Sequence, residues 1–128
     1  MPYRDTITDA ELDIMKALWK IGTATSPAIF AAIPNSEEMN TGTLKTLLSR
    51  LVSKGAVKVD EINLRHYLYT PVVTEREYIR INRKRMIDKV FDGSVRKMLL
   101  NFIEEEKITG DDLKQLIQQI EADKDTEN

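Results

Sequence analysis

The order of patterned segments predicts a mostly α fold with a small β-hairpin. It comprises an N-terminal winged helix-turn-helix over residues 1–73 and a C-terminal three-helix dimerisation region over 74–128. Three observations carry this reading. Helical apolar spacing recurs in three short segments before Gly55, two-residue alternation follows over 56–70, and helical spacing returns over 74–123. Three helices followed by a hairpin is the order of a winged helix-turn-helix. In that fold the third helix enters the DNA major groove and the hairpin tip reaches backbone or minor groove.

The first helix opens at Thr8-Asp9-Ala10-Glu11, which has capping-box spacing. Leu12, Met15, Leu18 and Trp19 supply its inner face, and Gly22 ends it. Ser26-Pro27 reads as an N-cap followed by proline at the first helical position. Ile29, Phe30 and Ile33 pack that second helix, and Pro34-Asn35 stops it. A polar loop with Glu37 and Glu38 leads to Asn40 or Thr41, either of which can cap the third helix.

In the third helix Leu44, Leu47, Leu48 and Leu51 fall at i, i+3, i+4 and i+7 and form one apolar stripe. The opposite face carries Thr43, Lys45, Thr46, Ser49 and Arg50, with no acid among them. Hydroxyls and long cations suit a surface of phosphates and base edges. The same pattern also fits a core helix whose outer face is only solvated. Lys54-Gly55 places a cation in the last turn and a glycine at the C-cap. Thr41, Thr43, Lys45, Thr46, Ser49 and Arg50 are therefore the candidate DNA-binding residues of this segment.

Ala56-Val57-Lys58-Val59-Asp60 and His66-Tyr67-Leu68-Tyr69-Thr70 alternate like strands, and Pro71 predicts an edge position for the second. Glu61 to Arg65 reads as the hairpin tip, where Asn63 and Arg65 are candidate phosphate or minor-groove contacts. An ordinary hydrophilic turn would look the same. His66 has no partner histidine or cysteine and is expected to be structural or phosphate-facing rather than a metal ligand.

From Thr74 onward three helical segments follow. Val95, Met98, Leu99, Phe102 and Ile103 make one stripe, and Leu113, Leu116, Ile117 and Ile120 another. Some 50 residues cannot bury so much apolar surface alone, and a second copy in a twofold homodimer is the economical cover. Val95, Met98, Leu99, Phe102, Leu113, Leu116, Ile117 and Ile120 are the expected dimerisation residues. Arg80, Arg83, Lys84, Arg85 and Lys89 read first as a solvated or ion-paired helix face and second as phosphate contacts.

Composition excludes several classes. The 128 residues contain no cysteine and one histidine, which argues against disulfides, thiolate metal sites and His-dependent nucleophiles. No Gly-rich phosphate loop and no spaced carboxylate pair in an apolar setting is present, so no enzyme, metal or cofactor is expected. No membrane span or leader is visible, and a cytoplasmic protein is expected. The net charge of −2 is unevenly placed: zero over 1–73, +3 over 74–90 and −5 over 91–128. Acid thus gathers away from the candidate reading helix, and DNA binding would rest on a local patch.

Taken together, these residues resemble the penicillinase-repressor family, from about Ile7 to Ile120. The similarity rests on Ala10-Glu11 with Met15 and Trp19, the run Thr43 to Leu51 with Lys54-Gly55, and Tyr69-Thr70-Pro71-Val72. Phe91-Asp92-Gly93-Ser94 and Leu100-Asn101-Phe102-Ile103 with Glu105 complete it. The resemblance implies a dimeric winged-helix repressor on a double-stranded, dyad-symmetric promoter operator, with antibiotic-resistance genes among those such proteins regulate. It places Thr43, Lys45 and Thr46 against bases and Arg50 against phosphate. Gly42 departs from it, standing where some relatives carry a lysine or larger residue. The copper-responsive branch carries C-terminal Cys-x-Cys pairs, which this chain lacks. The β-lactam-responsive branch is cut by a sensor-linked protease at a dipeptide matching Asn101-Phe102, which becomes the candidate scissile bond. Two rivals remain on sequence alone: a MarR-like ligand-responsive regulator and a protein-docking adaptor.

Overall fold

The computed structural model describes residues 6–33, 39–63 and 66–127, side chains of 125–127 excepted. The expected stop at Pro34-Asn35, the loop acids Glu37 and Glu38, and Arg65 all lie outside the described residues. The elements run α1 (Asp9–Ile21), α2 (Ser26–Ala32), α3 (Thr41–Lys54), β1 (Val57–Asn63), β2 (His66–Pro71), α4 (Glu75–Val90), α5 (Val95–Glu105) and α6 (Gly110–Glu127). This is the mostly helical winged-helix order that the patterning predicts.

Local chemistry sets the helix ends. The Thr8 hydroxyl accepts from Glu11 N–H at 3.2 Å while the Glu11 carboxylate accepts from Thr8 N–H at 2.9 Å, so the capping box forms. The second helix begins one residue earlier than expected: Thr25 is its N-cap and Ser26 its first helical residue. Asn40 caps α3, its side-chain oxygen accepting from Thr43 N–H at 2.7 Å. At the other end Gly55 takes φ 82° and ψ 9°, a left-handed conformation that suits glycine. Ala56 N–H then donates to Leu51 O at 3.0 Å, closing the last turn of α3. Ser94 caps α5, and Thr109 with Asp112 forms a reciprocal cap on α6 at 3.1 Å each way.

The first compact unit packs around α1 and α3. The predicted leucine stripe is buried in full: Leu44, Leu47, Leu48 and Leu51. On α1 the buried face is Ile14, Met15, Ala17 and Leu18, whereas the expected Leu12 and Trp19 are only half-buried. Trp19 sits at the rim because its indole N–H has a partner there, donating to Val73 O at 2.9 Å. Its ring also meets Tyr78 of α4 at 5.5 Å.

The hairpin is antiparallel, with Val59 opposite Tyr69 and Glu61 opposite Tyr67. Two expectations are corrected here. First, β1 continues through Asn63, so Glu61, Ile62 and Asn63 belong to the strand and the tip is shorter. Second, β2 is not an edge strand at Tyr69. Ala24 bridges it on the side away from β1, with Ala24 N–H donating to Tyr69 O at 3.0 Å and Tyr69 N–H to Ala24 O at 2.9 Å. Pro71 is tolerated because it is the last residue of β2, where a missing N–H breaks no further pair.

Contacts divide the chain between Arg80 and Ile81, inside α4. Tyr78 on Trp19 is one reason that the first turns of α4 go with the N-terminal unit. In the second unit Phe91 and Phe102 meet edge-to-face at 6.0 Å.

Candidate nucleic-acid interface

A helix backed by four buried leucines has a fixed outer face. On α3 that face is Thr41, Thr43, Lys45, Thr46, Ser49 and Arg50, all exposed. Along one side Thr43, Thr46 and Arg50 border a shallow concavity beside Asn40 and Gly42. Thr46, Ser49 and Arg50 border the next, together with Ser53. On the other side Lys45 and Ser49 line an open groove shared with Ser26, His66, Tyr67 and Tyr69. The α3 candidates therefore lie on one continuous surface, and the hairpin joins it through β2.

The hydroxyls are not equivalent. Thr46 Oγ1 donates to Gly42 O at 3.1 Å within its own helix. Its donor is thus committed, and what it offers outward is an acceptor lone pair and a methyl group. A Cβ at Gly42 would stand 3.3 Å from Asn40 Oδ1, the oxygen that caps α3. The glycine leaves room for that cap.

Lys54 also borders the second concavity, but its charge is paired. Its ammonium donates to both Glu11 oxygens, at 2.5 and 3.0 Å, and to Thr6 O at 2.9 Å. Glu11 is completely buried. Burial pushes its carboxyl up, but the hydrogen bonds from Lys54 and Thr8 outweigh that and hold it below the usual range. The pair ties the start of α1 to the end of α3 and so orients α3.

Asn63 and Arg65 fare differently from the α3 residues. Arg65 lies outside the described residues. Asn63 is exposed at the end of β1, and its side-chain oxygen stands 2.6 Å from His66 Nδ1. Ser26, Tyr67 and Tyr69 share the groove with Lys45 and Ser49 without having been singled out from the sequence. The alternation of β2 signalled that Tyr67 and Tyr69 share a face, but not which helix that face would meet. Burial within the hairpin, and then the neighbouring Tyr67, push the Tyr69 phenol up.

The C-terminal candidates divide by exposure. Met98 is buried and Leu113 half-buried, while Val95, Leu99, Phe102, Leu116, Ile117 and Ile120 remain exposed. Five of these are about half exposed, which is unusual for large apolar residues on two short helices. Asn101 is exposed in the middle of α5. Among the described residues no group of acids and histidine could hold a metal ion, and no helix is long and apolar enough to cross a membrane.

Comparisons with known proteins agree with this geometry. The sequence profile described as Penicillinase repressor matches residues 7–122. The chain is 30% identical over 118 residues to the Penicillinase repressor of Bacillus licheniformis, covering 92% of this chain and 91% of that one. It is 28% identical over 110 residues to the Methicillin resistance regulatory protein MecI of Staphylococcus aureus (strain N315), covering 86% and 89% respectively. Among solved structures it is similar to the DNA binding domain of the repressor BlaI, with a TM-score of 0.52 and 32% identity. That match covers 62% of this chain and 95% of the domain.

Proposed function

The chain belongs to the penicillinase repressor family and is a DNA-binding transcriptional repressor, not an enzyme; from that premise we propose that it works as a homodimer on a dyad-symmetric promoter operator. The observation that carries the reading is the acid-free outer face of α3, held rigid by four buried leucines. Thr43, Lys45 and Thr46 contact bases, Thr41, Ser49 and Arg50 contact backbone, and Asn63 with Arg65 extends the contact at the hairpin.

Repression is steric. Two reading helices enter half-sites about 34 Å apart, or a multiple of that, and exclude transcription from the promoter. The exposed stripes of α5 and α6 join the two copies, burying apolar surface that one copy leaves in water. The names of the relatives point to β-lactam-resistance or related genes as the regulated class.

Induction proceeds by cleavage between Asn101 and Phe102. The bond lies within α5, so a protease needs that helix to open locally first. The cut removes the last four residues of α5 and all of α6 from the dimer surface.

The test is a gel shift of the full chain with a duplex from its own promoter region, paired with sedimentation of the free protein. Retarded duplex that survives non-specific competitor, together with a twofold mass, supports the proposal. A monomer at micromolar concentration that ignores duplex at low salt overturns it. A small molecule that released the duplex and raised thermal stability would turn the reading to the MarR-like one.

A further inference from the structure

The one histidine of the chain stands where the hairpin meets the reading helix. His66 lines the groove that Lys45 and Ser49 border from α3 and Tyr67 and Tyr69 border from β2. Its ring is exposed, and its Nδ1 lies 2.6 Å from the side-chain oxygen of Asn63.

That contact decides what the ring can do. A carboxamide oxygen only accepts, so Nδ1 carries the proton in this hydrogen bond. Neutral imidazole has one N–H, so Nε2 is then a bare acceptor. A phosphate oxygen is also an acceptor and meets Nε2 only when that nitrogen gains a proton from solvent. We propose that His66 is a phosphate contact of the hairpin that engages duplex DNA in its doubly protonated form, making DNA binding tighter in mild acid.

The inference deepens the operator-binding reading and rests on it. One proton is taken from solvent per protomer as the contact forms and is returned as it breaks. The charged and titratable groups that line the groove with the ring are Lys45 from α3 and Tyr67 and Tyr69 from β2, while on β1 Asp60 and Glu61 stand opposite Leu68 and Tyr67. On the α2 side the groove offers the uncharged Thr25 and Ser26. Lysine, tyrosine, aspartate and glutamate ordinarily titrate outside pH 5.5–8, whereas imidazole titrates inside it. The α-amino group also titrates near the top of this range, so the ring's share of the profile is the part that His66→Gln removes.

The experiment measures affinity of the full chain for a duplex from its own promoter region, by fluorescence anisotropy from pH 5.5 to 8.0 at constant ionic strength. Wild type is expected to bind tighter in acid by about tenfold per protomer, and so about a hundredfold for the dimer, for each unit by which DNA strengthens the proton's hold. Its salt dependence should steepen by about 0.9 per added phosphate contact. His66→Gln should flatten the profile at the weak level, and His66→Arg should flatten it at the tight level. The substituted position is exposed, and matching circular dichroism melts establish that the fold is kept. The lone imidazole resonance should titrate at higher pH once duplex is added. A flat wild-type profile, or a pH dependence retained undiminished in His66→Gln, overturns the inference while leaving the operator reading intact. No binding at any pH removes both.

Discussion

At the scale of single residues, the outer face of α3 separates cations that are available from one that is spent. Lys45 and Arg50 are exposed on the groove and the concavities, whereas Lys54 is held by Glu11. Arg50→Ala should weaken binding to all duplexes and lower the salt slope by about 1, read from anisotropy titrations at several salt concentrations. Lys45→Ala should cost about 1–3 kcal/mol on the specific site and relax sequence preference there. Equal losses on specific and random duplexes would show Lys45 to be a phosphate contact instead. The buried pair makes a different prediction. Lys54→Met leaves a buried carboxylate alone and should cost about 3 kcal/mol in urea unfolding, while Glu11→Met with Lys54→Met together should recover most of it. The sign with pH follows from the lowered Glu11 carboxyl. Its contribution is complete above the ordinary glutamate range near 4.5 and is lost as pH falls through the lower folded value. Wild-type melting temperature should hold level above about pH 5 and drop below it.

At the scale of elements, α3 was the most legible part of the chain. A four-leucine stripe, an Asn cap and a Lys-Gly end are local signals, and all three formed. Leu48→Ala, at a fully buried position, should cost about 2–5 kcal/mol in chemical denaturation, because neighbouring helices cannot close the cavity. The hairpin was less legible. Alternation placed both strands, but the tip came out shorter and β2 gained a second neighbour in Ala24. Neither strand's own residues encode a bridge to a segment so far upstream. The slip at α2 is of one residue: Thr25 and Ser26 are both good cap types, and Thr25 takes the cap position without a side-chain hydrogen bond.

At the scale of the whole molecule, the proposed homodimer rests on the exposed apolar residues of α5 and α6. Ile117→Glu with Ile120→Glu puts charge on the exposed stripe and should yield monomers in sedimentation, without melting the N-terminal unit. Loss of the second half-site should then weaken operator occupancy by about 10²–10⁴, the usual gain from linked binding. A monomer that kept full affinity would sink the dimeric mechanism.

What the sequence determined by itself is the set of elements and the character of each face. Helical and strand periods, caps and acid-free runs act within a few residues, so they survive without knowledge of the fold. Tertiary structure alone decided which faces meet. Glu11 finds Lys54 across 43 residues and Trp19 finds Val73 across 54. His66 and Tyr67 come beside Lys45 because β2 folds back toward α3. Such contacts depend on how whole elements pack against one shared core, and no local pattern carries that information.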